Sequence, residues 1–145
     1  SDIVFDEQND RLLMVSHAQI TSIDASGGLE YGAETAAKNV FDLGAGDNVD
    51  GEALTIVGDV VYATGERGQF QNSILYAFQL SGIKDQPLPL IGKWEVPCDN
   101  VEGIAYLPDE GHGKLLLAGN RKIKVFDVPH LVHAENATAP LPEVK

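Results

Sequence analysis

Three stretches of this 145-residue chain repeat one pattern of short apolar segments at an interval of about 50 residues. The repeated segments are 1–5, 11–17 and 20–24, then 51–56, 60–66 and 74–79, then 101–106, 114–120 and 123–127. Asp2, Glu52 and Glu102 occupy the same place in each stretch, 50 residues apart. Repeats of this length are built from one supersecondary unit that needs neighbouring units to bury its apolar surface.

The segments have the composition of β-strands. They are short, rich in Val, Ile, Leu, Tyr and Phe, and bounded by turn residues such as Asn9-Asp10 and Gly58-Asp59. A fourth strand is predicted at 40–43 in the first repeat and at 90–96 in the second, and it begins at 141–145 in the third. The apolar runs are nearly continuous, which is typical of sheets covered on both faces.

Four short strands per 50-residue unit are typical of a β-propeller blade. The sequence therefore predicts an all-β fold of three four-stranded antiparallel blades, an incomplete or half propeller. The predicted boundaries are 1–48 for blade 1, 49–100 for blade 2 and 101–145 for blade 3, whose fourth strand is incomplete. A β-sandwich of about ten strands is the alternative; it explains short strands but not the 50-residue repeat.

Three blades do not close a propeller, since closed propellers have about four to eight. Both ends of the stack are expected to expose strand edges and apolar faces. The partners expected to cover them are the remaining blades of a longer polypeptide, a second copy, or other protein subunits. We favour the longer polypeptide at this stage, because 1 and 145 both fall at repeat edges.

The charge of the chain limits its other partners. Lys and Arg number 10 against 22 Asp and Glu, for a net charge of −12. Such a surface repels phosphate backbones and anionic membranes, so nucleic acid is not an expected partner. No apolar run approaches the roughly 20 residues of a membrane-spanning helix, so membrane insertion is not expected either. Cys98 is the single cysteine, which excludes an internal disulfide and a multi-thiolate zinc site.

Acidic residues mark one face of the predicted blades. Asp2, Glu52 and Glu102 start the innermost strands and form a predicted metal site for Ca²⁺, which takes six to eight oxygen ligands. Oxygen-bearing neighbours that flank this inner ring are Asp47, Asn48, Asp50, Asp99 and Asn100. The alternative is that the inner-ring carboxylates accept hydrogen bonds from backbone N–H groups where the chain enters each blade.

A second set of polar residues is predicted on the same face, just past the second strand of each repeat. It contains His17, Glu66, Arg67, Asn120 and Arg121. His17 and Glu66 have side chains suited to general acid–base chemistry, and the two arginines are suited to holding an anion. The alternative is that these loop residues simply face water. No nucleophile–base arrangement stands out, so no catalytic residue is assigned.

Residues 50–55 followed by 62–68, together with 101–106, resemble blades of the SdiA-regulated and esterase-like phytase propeller families. NHL-type and YncE-like propellers share a looser version of the pattern. The resemblance implies an exported protein, extracellular, periplasmic or in an organelle lumen, with Ca²⁺ near the channel. It carries Glu52 and Glu102 over as inner-strand carboxylates, and Glu66 and Arg67 as the loop pair. Asn136-Ala137-Thr138 also fits the acceptor pattern for N-glycosylation.

The chain departs from these families at the positions that bear on catalysis. Ala53 follows Glu52 where the families have Gly, and Asn120-Arg121 replaces an acidic–basic pair. The sequence therefore favours a non-catalytic propeller module that binds or organises other proteins. The alternative is a Ca²⁺-dependent propeller enzyme that hydrolyses a phosphate or an ester.

Overall fold

The computed structural model describes residues 1–29, 32, 37–43, 47–68, 70–80, 86–108 and 113–128. The strands of this part of the chain are β1 (Asp2–Asp6), β2 (Arg11–Ser16), β3 (Gln19–Asp24), β4 (Lys38–Asp42), β5 (Asp50–Val57), β6 (Val60–Glu66), β7 (Asn72–Gln79), β8 (Leu90–Asp99), β9 (Val101–Leu107), β10 (Lys114–Gly119) and β11 (Lys122–Asp127). The predicted all-β class is confirmed. The described residues contain no helix long and apolar enough to cross a membrane.

The strands form three antiparallel sheets, each with its strands in chain order. Sheet I consists of β1 to β4, sheet II of β5 to β8 and sheet III of β9 to β11, and the sheets do not close on one another. The predicted fourth strand of the third repeat, 141–145, lies outside the described residues, as does Asn136. Short turns explain the simple order: Asn120 and Arg121 both have positive φ, the backbone that a two-residue hairpin between twisted strands requires.

Sheet II lies between the other two sheets and is buried on both faces. We call the face of each sheet that points to the next sheet along the chain its front, and the opposite face its rear. Side chains alternate along a strand, so on β6 Val61 and Ala63 pack against sheet I, while Val60 and Tyr62 pack against sheet III. This double burial explains why the apolar runs of the second repeat are nearly continuous.

The first strands of the three sheets lie side by side. β5 packs next to β1 and β2 on one side and next to β9 on the other. An isolated bridge joins His17 to Gly51, and the Gly51 N–H donates to the His17 carbonyl. We define the upper edge of the sheets as the edge where β1, β5 and β9 begin. At this edge a backbone contact joins sheet I to sheet II.

Apolar side chains are exposed on the two outer faces of the stack, as the sequence led us to expect. On the rear of sheet I, Ile3 and Phe5 are about half exposed. On the front of sheet III, Leu107 is exposed and Ile123 retains 68% of its accessible surface. Sheets I and III thus each bury one face within the described chain and present the other to its surroundings.

Candidate functional site

The upper edge brings together both predicted sets of polar residues. Antiparallel pairing places the start of the first strand of each sheet beside the end of its second strand, as in the pair Asp50 and Glu66. Sheets I and III follow the same rule, with Asp2 opposite Val15 and Val101 opposite Gly119. The inner-ring carboxylates and the residues that follow the second strands therefore share one edge.

Glu52 and Glu102 occupy equivalent positions in their sheets. Both are skipped by the strand ladder: pairing passes from Gly51 to Ala53 around Glu52, and from Val101 to Gly103 around Glu102. A bulge of this kind redirects a side chain away from the regular sheet. The 50-residue spacing of these two glutamates thus corresponds to a shared structural position.

Asp2 is placed differently, in a regular ladder opposite Val15. Its Oδ2 accepts a hydrogen bond of 3.1 Å from the Leu54 N–H of sheet II, and its Oδ1 accepts one of 2.8 Å from the Ile3 N–H. For Asp2 the alternative interpretation of the inner ring therefore has direct support: the carboxylate links the backbones of two adjacent sheets.

Four carboxylates lie at the upper edge near enough for their charges to interact. Partial burial raises the pKa of Glu66, and repulsion from Glu52, Glu102 and Asp50 raises it further. Since these charges come from sheets II and III, the pKa reflects a negative field shared between sheets. Exposed His17 lies beside this cluster, with its Nδ1 3.7 Å from Asp50 Oδ1.

The two arginines of the second set are arranged unequally. Arg67 is partly buried: its Nε donates to the Asn72 carbonyl at 2.6 Å, and its guanidinium lies 3.5 Å from Glu95 Oε2. Asn72 and Glu95 both belong to sheet II. Arg121 is exposed in the β10–β11 turn, where it borders an open groove of about 550 Å³ together with Glu102.

The flanking residues mostly have structural roles. Asp47 Oδ2 accepts the Tyr76 hydroxyl at 2.8 Å, and Lys93 pairs with its other oxygen. Burial and this bond with Asp47 hold the pKa of Tyr76 well above its usual range. Asn120 Nδ2 donates to Asp99 Oδ2 at 2.8 Å. Asn48 and Asn100 both have positive φ, a backbone that Asn tolerates better than most residues.

The sequence contained a signal for these turns that the 50-residue repeat obscured. Asp-Asn-Val-acidic-Gly occurs at 47–51 and again at 99–103, at a spacing of 52 rather than 50. The two asparagines in it have the same left-handed backbone. Asp50, the acidic member of the first copy, is the residue that joins Glu52, Glu66 and Glu102 in the acidic cluster.

The arrangement as a whole produces an electronegative edge. Such an edge attracts cations and basic groups and disfavours anions. Within the part of the chain that the structure describes, no three His, Cys, Asp or Glu side chains are grouped so that they could hold a metal ion. Comparison with protein-family models, with characterised proteins and with solved structures finds no match for the chain.

Proposed function

We propose that the three sheets are consecutive blades of a β-propeller that acts as a non-catalytic binding or scaffold module within a longer exported protein or an assembly. The observation that carries this proposal is the stacking of the sheets. The fronts of sheets I and II each pack on the rear of the sheet that follows, with the first strands of the three sheets side by side. Apolar surface is left at both ends for something else to cover.

The stacking favours blades over the sandwich. In a β-sandwich two sheets enclose one core, and their outer faces are polar. Here three sheets enclose two separate cores, one on each side of sheet II. The resemblance of 50–55, 62–68 and 101–106 to SdiA-regulated and esterase-like phytase blades supports the same architecture and an exported location.

The hydrogen bonds of the upper edge favour a module without catalysis. Asp2 is engaged with the Leu54 backbone and Arg67 with the Asn72 backbone. Asn120 is engaged with Asp99. These residues stabilise strand ends and turns, and those contacts restrict their freedom to rearrange around a substrate.

A Ca²⁺-dependent hydrolase is the second candidate, favoured by the convergence of Asp50, Glu52, Glu66 and Glu102. A divalent cation among these carboxylates would relieve their repulsion and attract an anionic phosphate or ester. The two candidates differ in what they require of Glu52 and Glu102.

The test compares the chain with the double variant Glu52→Gln and Glu102→Gln. As a scaffold, the chain should show no turnover of generic phosphate and ester substrates in millimolar Ca²⁺, and its binding to other subunits should be unchanged in the variant. Addition of Ca²⁺ should not change the midpoint temperature of its thermal unfolding. Turnover that requires both Ca²⁺ and the two glutamates, with a Ca²⁺-induced rise in the midpoint, would establish the hydrolase instead.

The blade architecture has its own test. A crystal or electron-microscopy structure of the longest natural polypeptide that contains this sequence should show these sheets arranged around a common axis, with β1, β5 and β9 innermost. Two sheets packed face to face around a single core would contradict the proposal.

A further inference from the structure

We draw no further inference here: the strongest candidate, the groove of about 550 Å³ that Glu102 and Arg121 border at the upper edge of sheet III, continues through Ala118 and Ile123 onto the exposed front of that sheet, and nothing in the structure shows what covers this face.

Discussion

Gly51 is a residue at which sheets I and II approach closely. A Cβ at this position would lie 2.4 Å from Val15 Cγ2 and 2.7 Å from the His17 carbonyl oxygen. The oxygen belongs to the backbone that accepts the Gly51 N–H, so it is constrained by the same contact that brings it close. The acidic cluster next to Gly51 depends on this approach for its position relative to sheet I.

We expect Gly51→Ala to lower the free energy of unfolding by about 1–3 kcal/mol, the usual cost of inserting an extra methyl into a well-packed contact. Gly27→Ala is the control, because a Cβ at Gly27 meets nothing within 4 Å. Chemical denaturation of both variants measures the difference. Equal stability of the two would mean that the sheets are not in contact at Gly51.

The pKa of Glu66 depends on burial and on the negative charges of the other members of the acidic cluster, Glu52, Glu102 and Asp50. Its pKa is raised in the folded chain, so the folded state binds a proton at Glu66 more tightly than the unfolded state does. Ionised Glu66 therefore opposes folding at neutral pH, and this cost disappears as the pH falls through the raised pKa.

Glu66→Gln should accordingly raise the free energy of unfolding at pH 7, by up to about 1 kcal/mol for a group that is partly exposed to solvent. The gain should shrink towards about pH 3.5, where carboxyl groups become protonated. Thermal denaturation across this range provides the measurement, with Glu7→Gln at the opposite edge as the comparison. A gain that is independent of pH would point to a cause other than charge repulsion.

The β1–β2 hairpin contains a buried ion pair. Asp6 ends β1 and Arg11 begins β2, directly opposite it, and Arg11 Nε donates to Asp6 Oδ2 at 2.7 Å. Arg11 is 0% exposed and shares the front of sheet I with Leu13 and Val15. Asn9 donates to the same carboxylate oxygen, so the turn and the pair fix each other's position.

Asp6→Ala should lower the free energy of unfolding by about 3–5 kcal/mol, because it removes a partner of a fully buried guanidinium. Glu95→Ala removes a partner of Arg67, which is partly exposed, and should cost less than about 1 kcal/mol. Urea denaturation monitored by Trp94 fluorescence compares the two. A similar small loss in both variants would mean that solvent reaches Arg11.

Among the strands, those of a sheet that is buried on both faces were the easiest to predict from the sequence. The strands of the second repeat were predictable because apolar residues occupy both faces of sheet II. The burial of Arg11 could not be predicted in this way, because a charged residue at the start of a strand is usually exposed. Its partner Asp6 lies on the other side of a turn, and the sequence alone does not give the geometry of that turn. The hydrogen bond from Leu54 to Asp2 was likewise hidden, since it spans two repeats.

At the scale of the whole molecule, the repeat predicted the division into similar sheets and the exposure of apolar side chains at both ends. The convergence of Asp50, Glu52, Glu66 and Glu102 was predictable only in outline. The repeat places such residues on one edge, but which of them approach each other depends on bulges and inter-sheet contacts. Asp2 is an example of this limit on prediction from the repeat. It lies 50 residues before Glu52, but it pairs regularly with Val15, whereas Glu52 is skipped by the strand ladder.

The position of sheet II between two neighbours also determines the order in which the sheets unfold. When units contact only their neighbours, stability is approximately a sum of the contribution of each unit and of each interface. Sheet II takes part in two interfaces, and each outer sheet in one. Opening an outer sheet therefore costs less free energy than opening sheet II, so unfolding is expected to begin at the ends of the stack. A neighbour that covers those ends would remove the points at which opening begins, so its binding would slow the loss of the native state.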